Sequence, residues 1–199
     1  MRVPSNTVPK SFYENPDVVE VSRQLLGKVL CAKIESTFTS GIITETEAYS
    51  GRNDKACHAN NGKRTPRTEV MFGEPGHAYI YLCYGIHHLF NVVTNQKGLA
   101  DAVLIRAIHP LHGLDAMKER RNMQKELTLT NGPGKFTKAM AITTSLNKTD
   151  LTNPPVWIED HGIKILKKEL LVTKRIGVDY AGSDADKPWR FQVLPNLFR

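Results

Sequence analysis

The sequence predicts a mixed α/β fold of the α+β type, built on a largely antiparallel sheet, and three observations lead there. Stretches rich in Ile, Val, Thr and Tyr read as strands at residues 28–34, 39–49, 78–84, 89–94 and 102–108. The helical patterns lie outside that group and do not alternate with it, so the βαβ signature of a parallel sheet is missing. A chain of 199 residues suits one domain and is too short for two well-developed ones.

Taken in order, Val18, Val21, Leu25 and Leu26 recur at helical spacing across residues 17–26, and Gly27 follows as a stop. Two strands come next, at 28–34 and 39–49. Residues 50–75 dissolve into Gly, Asn, Pro and charges. A loop of about 25 residues in a compact domain is usually functional or disordered. Residues 78–84 and 89–94 read as a β-hairpin with Gly85-Ile86-His87-His88 as its turn. The strand at 102–108 is expected to end at Pro110. Residues 111–127, with Leu114, Met117 and scattered charges, suggest a surface helix. Gly132-Pro133-Gly134-Lys135 opens another helix, with Phe136, Ala139 and Met140 on one side. Short strands are expected at 156–158 and Leu170–Thr173. Residues 1–11 read as a loosely ordered segment of the single domain 1–199.

Lys and Arg number 27 against 20 Asp and Glu, a formal net charge of +7. That balance favours an anionic partner, nucleic acid above all, although solubility alone also accounts for it. The cations are spread along the chain, so any footprint must be assembled by folding. No run of about 18 apolar residues occurs, so no membrane span is expected. The first nine residues lack the apolar stretch of a secretory signal. Cys31, Cys57 and Cys83 are odd in number and far apart, which argues against a disulfide framework or a zinc knuckle and for a reducing compartment.

Few residues stand out chemically. In Thr46-Glu47-Ala48-Tyr49 the two-residue period puts Glu45, Glu47 and Tyr49 on one strand face. On spacing alone Glu47 reads first as an ordinary solvated carboxylate and second as a general base. Tyr79 and Tyr81 share a face, whereas Tyr84 points the other way near the hairpin tip; core packing and stacking on bases both fit these rings. Arg106 is the sole charge in its strand and needs an anionic partner, as a structural ion pair or a catalytic clamp. Asn91 bonds backbone or reads a ligand. His109 and His112 flank Pro110 without a carboxylate motif, so no metal site is expected. No Walker loop, nucleophile elbow or zinc-protease motif occurs.

Together these segments resemble the alkyladenine (3-methyladenine) DNA glycosylase family. The resemblance is carried by Ile43-Thr44-Glu45-Thr46-Glu47-Ala48-Tyr49, Ala56-Cys57-His58, Arg64-Thr65-Pro66-Arg67 and Pro75-Gly76-His77-Ala78-Tyr79-Ile80-Tyr81-Leu82-Cys83-Tyr84-Gly85. Val103-Leu104-Ile105-Arg106-Ala107, Asn131-Gly132-Pro133-Gly134-Lys135, Arg175-Ile176-Gly177-Val178 and Lys187-Pro188-Trp189-Arg190-Phe191 complete it, in order, between about Phe12 and Phe191.

The resemblance implies a curved antiparallel sheet with flanking helices and a protruding hairpin. It implies Glu47 as the base that activates water, held with help from Arg106 and the Ile176 carbonyl. Tyr49, His58, Tyr81 and Asn91 would form the base pocket, with Asn91 disfavouring normal guanine. Tyr84 and Ile86 would wedge into the duplex, and Arg64, Thr65, Arg67 and Lys135 would contact DNA. The expected activity is excision of alkylated or deaminated purines from double-stranded DNA by a monomer, with no cofactor and no lyase step. Bacterial cytoplasm is the expected location, or the nucleus for a eukaryotic source. The long polar N-terminal extension of vertebrate members is expected to be missing. Ile86 stands where those members have Met, and His87-His88 replace bulkier residues. A non-catalytic binder of damaged DNA is the alternative; an RNA-binding accessory domain of a formyl-transfer enzyme would have no reason to keep both the Glu47 strand and the His58 loop.

Overall fold

In a computed structural model, which describes residues 5–194 and 197–198, β-branched and aromatic runs form eight strands. They are β1 Val29–Ile34, β2 Thr37–Tyr49, β3 Ala78–Cys83, β4 His87–Thr94, β5 Asp101–His112, β6 Val156–Glu159, β7 Leu170–Thr173 and β8 Arg190–Val193. The α-helices are short: α1 Lys10–Tyr13, α2 Val18–Gln24, α3 Leu114–Arg121 and α4 Pro133–Ala139. Every strand pairing is antiparallel, in the order β3-β4-β5-β2-β1-β6, while β8 pairs with the end of β2 and carries β7. The expected α+β class and antiparallel sheet are what the chain forms.

Alternation along the strands divides the sheet into two faces. Val103, Ile105, Ile43 and Ala48 point toward the helices, where they pack with Val21, Leu25, Met117, Phe136 and Phe191 in the main core. Asp17 caps α2 by accepting from the Val19 and Glu20 amides at 2.9 and 3.1 Å, a contact worth about 1 kcal/mol. Ser22 on α2 then grips Thr46: the Thr46 hydroxyl donates to the Ser22 carbonyl at 2.8 Å. That pins one face of β2 against the helix and turns Glu45, Glu47 and Tyr49 to the other face. There the loop between β2 and β3 folds down, burying Cys57, Val70, Met71 and Phe72 against Tyr79, Val93 and Ala102. The loop is organised by single 3-10 turns at Asn60–Gly62 and Glu69–Phe72.

Several sequence expectations need correction. Pro110 does not end β5, which runs to His112. The Ile108 amide points away from β2, to the Thr130 carbonyl, so alternation sends the missing Pro110 N–H to the same unpaired side, where proline is tolerated. His87 and His88 open β4 and are not the turn; His87 packs on Gly134, and His88 Nδ1 accepts from the Thr144 amide at 3.2 Å. The surface helix spans only Leu114–Arg121, bounded by left-handed Gly113 and Asn122. Of the segment expected to be loose, residues 1–4 lie outside the described residues. Beyond them Thr7 bridges Glu159, and buried Val8 donates its amide to Ile158. Among the described residues, no helix is long and apolar enough to cross a membrane.

Candidate active site

The site begins with two irregularities in the β2–β5 ladder. Ile43 faces Ile108, Glu45 faces Ala107 and Thr46 faces Ile105, so Thr44 is an extra residue on β2 and Arg106 an extra residue on β5. Bulges bend their strands and re-aim side chains. Here the bulge delivers Arg106 to the face that carries Glu45 and Glu47. Arg106 Nε donates to Glu45 Oε1 at 2.9 Å and its Nη1 to Glu47 Oε2 at 3.2 Å. Burial opposes the Arg106 charge, but Glu47 and Glu45 outweigh it and the net effect raises its pKa. Arg190 donates to the same Glu45 oxygen at 2.6 Å, closing a network of two carboxylates and two guanidiniums.

Glu47 is wholly buried, at 0% exposure, so the solvated-face reading of this residue is overturned. Its carboxylate is fixed by three donors. The Ile176 amide reaches Oε1 at 2.8 Å, and the Tyr49 hydroxyl and Arg106 reach Oε2 at 2.7 and 3.2 Å. The expectation for Ile176 concerned its carbonyl; the contact with Glu47 is made by its N–H.

Tyr49, Arg106 and Ile176 all line a cavity of about 520 Å³, so Glu47 sits one layer beneath its floor. The walls are aromatic. Tyr79 and Tyr81 stack with centroids 5.3 Å apart, and His58 meets Tyr81 edge-on at 4.8 Å. His58 Nδ1 lies 3.0 Å from the Tyr79 hydroxyl. Burial, then Arg67 and Lys63, push the His58 pKa down to about 4, so its ring is neutral near pH 7. Burial first, then Glu47, holds the Tyr49 phenol well above its ordinary value. Asn91 lines the same cavity and donates its amide nitrogen to the Tyr79 carbonyl at 3.0 Å. A larger cavity of about 820 Å³ shares Arg106 and Ile176, but its other walls are chiefly aliphatic and polar, without the tyrosines.

The hairpin tip projects beside this cavity. Tyr84 is 92% exposed and Ile86 71%, far more than solvation of large apolar groups favours. Tyr84 (φ 51°) and Gly85 (φ 72°) both take left-handed backbone, and the Ile86 amide closes the turn on the Cys83 carbonyl at 3.2 Å. A bulky residue in that region is strained, by about 1 kcal/mol, in a posture that holds its ring in solvent. Arg67 lines the cavity, 5.8 Å from the Tyr81 ring. Arg64 is paired with Glu69 at 3.0 Å and lies 4.2 Å from the Phe72 ring. Thr65 bonds Thr68 within its own turn, and Lys135 bonds Asn131 at 2.8 Å. Thus Glu47, Arg106, Ile176, Tyr49, His58, Tyr81 and Asn91 converge, with Tyr84 and Arg67 at the rim, while Arg64, Thr65 and Lys135 stand apart with local partners.

Sequence reasoning gave no site role to Glu45, Arg190 and Arg175, although each stands in a segment that carries the resemblance, and did not single out Asp54. Glu45 was visible on the Glu47 face by its two-residue offset. Asp54 and Arg175 form a buried ion pair across 121 positions, and no local pattern could have joined them. His112 is bonded to Ser40 at 2.9 Å, and His109 stacks beside Phe198.

A family model described as methylpurine-DNA glycosylase matches residues 11–196. Curated relatives named "Putative 3-methyladenine DNA glycosylase" align over nearly the whole chain. The one from Chlamydia felis is 48% identical, covering 92% of this chain and 94% of the relative. That from Desulfitobacterium hafniense is 45% identical, at 92% and 93% coverage, and that from Methanocella arvoryzae 46%, at 92% and 90%.

Proposed function

The chain belongs to the methylpurine-DNA glycosylase family, DNA-repair enzymes that hydrolyse the N-glycosyl bond, and on that premise we propose that it excises alkylated and deaminated purines with Glu47 as the base. The observation that carries this reading is the buried Glu47 carboxylate, held by three donors beneath an aromatic cavity. An ionised carboxylate offers about four acceptor positions. Three are filled, which leaves one for a water proton. Hydrogen bonds of this kind are often completed only in the substrate complex. DNA binding would open that position to a water from the cavity.

In the reaction the water oxygen bonds to C1′ of the flipped nucleotide as the C1′–N bond breaks. The departing base keeps the bond's electron pair, Glu47 takes the water's proton, and an abasic site remains. Its negative charge would also stabilise an oxocarbenium-like transition state. The walls suit the leaving group. 3-Methyladenine and 7-methylguanine are cationic in DNA, and tyrosine faces attract cations. The neutral His58 ring adds no opposing charge. Neutral lesions such as hypoxanthine and ethenoadenine would need hydrogen bonding, for which His58 is the nearest candidate. Asn91, tied to the Tyr79 backbone, is a rigid wall against the 2-amino group of guanine.

Extruding a nucleotide costs a few kcal/mol, least at damaged pairs. Tyr84 would fill the vacated space, and Ile86 would contact the adjoining step. No lysine is among the described residues lining the cavity, which favours hydrolysis without an imine step. The test uses duplexes bearing one hypoxanthine or ethenoadenine, incubated with and without the protein and then treated with hot alkali. Strand cleavage at the lesion is expected; binding without cleavage on every duplex would leave only the non-catalytic binder.

A further inference from the structure

Two of the three donors that hold Glu47 depend on one buried group outside the cavity. Arg175 immediately precedes Ile176, whose amide bonds Glu47 Oε1. The Arg175 guanidinium carbon also lies 4.8 Å from the centroid of the Tyr49 ring, whose hydroxyl bonds Glu47 Oε2. The third donor, Arg106, is held separately by Glu45.

Arg175 itself is held by Asp54. Its two terminal nitrogens reach the two carboxylate oxygens at 2.7 and 2.8 Å, with both side chains at 0% exposure. The same nitrogens donate to the Ala48 and Asp184 carbonyls at 2.8 and 2.9 Å. Nε is buried with no hydrogen-bond partner among the described residues, so the fork is kept at the expense of a further hydrogen bond. A fully buried pair is a weak source of stability, because desolvation opposes the attraction. What it does supply is direction: a planar fork fixes orientation as well as distance.

Asp54 also accepts from the Ser50 and Ala56 amides, at 3.2 Å each, at the start of the loop that carries His58. The tie between segments is repeated by Tyr180, whose hydroxyl donates to the Ala56 carbonyl, and by the Lys55 amide on Asp184. We propose that Asp54 and Arg175 are positioning residues: one buried clamp aims Glu47, through Ile176 and Tyr49, in register with the base-pocket wall. This rests on the role given to Glu47 above.

The test compares wild type with Arg175→Lys, which keeps charge but loses the fork, and with the double variant Asp54→Asn, Arg175→Met. The double variant leaves no buried charge unpaired, so it preserves folding, which a cooperative melt verifies. Single-turnover excision is measured on a lesion that wild type removes. Affinity is measured for a duplex carrying a tetrahydrofuran abasic analogue. Misplacing a reacting group by about 1 Å costs about 10²-fold in rate. Both variants should therefore lose about that factor in excision while affinity stays within about threefold. A folded double variant excising within about threefold of wild type would overturn the proposal, as would rate and affinity falling together. If wild type itself removes no lesion, the glycosylase mechanism fails first and the positioning role with it.

Discussion

Replacing Glu47 with Gln separates chemistry from binding. The amide is nearly isosteric, so the cavity walls persist, but its hydrogen bonds cannot all survive. With Oε1 kept toward the Ile176 amide, the new NH₂ faces Arg106 and Tyr49; turned the other way, it faces the Ile176 N–H. The tyrosine hydroxyl can rotate to accept, whereas the guanidinium cannot. In the first orientation Arg106 would retain Glu45 alone, shared with Arg190, and in the second the Ile176 amide would lose its acceptor; in both, the four-membered network would pass from neutral to one net positive charge. Losing a charge-assisted bond of this kind costs about 2 kcal/mol. At about 2–4 °C per kcal/mol for a chain of this size, that lowers Tm by about 4–8 °C. Loss of a general base costs about 10²–10⁴-fold in rate. Excision should therefore fall by about 10³-fold in a folded protein, with binding to abasic-analogue DNA largely retained. Single-turnover kinetics and fluorescence anisotropy on the same preparation measure both. Excision within about tenfold of wild type would refute the base role, as would collapse of binding in parallel with rate.

Tyr84→Ala and Ile86→Ala remove exposed side chains, so each should change stability by no more than about 0.5 kcal/mol while weakening affinity for lesion-containing duplex; unchanged anisotropy titrations would remove the tip from the interface. For His58 the folded pKa, about 4, lies below the ordinary 6.5, so its stabilising contribution is present above about pH 6.5 and is lost as pH falls toward 4. The linkage predicts about 2 kcal/mol less stability at pH 5 than at pH 7 from this residue; urea midpoints should show that slope reduced in His58→Gln, and an identical slope would contradict it. Borohydride should trap no covalent adduct with abasic DNA, as read by gel; an adduct would reveal an amine nucleophile. Binding should weaken linearly on a log–log salt plot, as phosphate contacts by the basic surface require.

Much of the site's composition was legible in the sequence because strands alternate by steric necessity. Glu45, Glu47 and Tyr49 had to share a face whatever surrounded them, and the aromatic runs on either side of Gly85 had to form a hairpin. The start of α2 was equally readable, since Asp17 supplies local cap chemistry, but the helix ends at Gln24, short of the expected stop at Gly27, whose amide is taken by the Ile43 carbonyl of β2. The tip was misplaced by two residues because His87 and His88 are recruited into β4 by contacts with Gly134 and Thr144, which lie far along the chain. Pro110 misled because proline's cost depends on whether a neighbour waits for its N–H, and that depends on where β4 leaves β5.

The case of Glu47 shows the division most clearly. Local periodicity determined the side to which it points, and the order of its neighbouring motifs pointed to its chemistry. Its burial was decided only in three dimensions. A bulge turns Arg106 inward, and Asp54 holds Arg175 so that an amide 129 positions away meets the carboxylate. Alternation is a property of consecutive residues. Desolvation and charge pairing are properties of whatever the folded chain brings alongside.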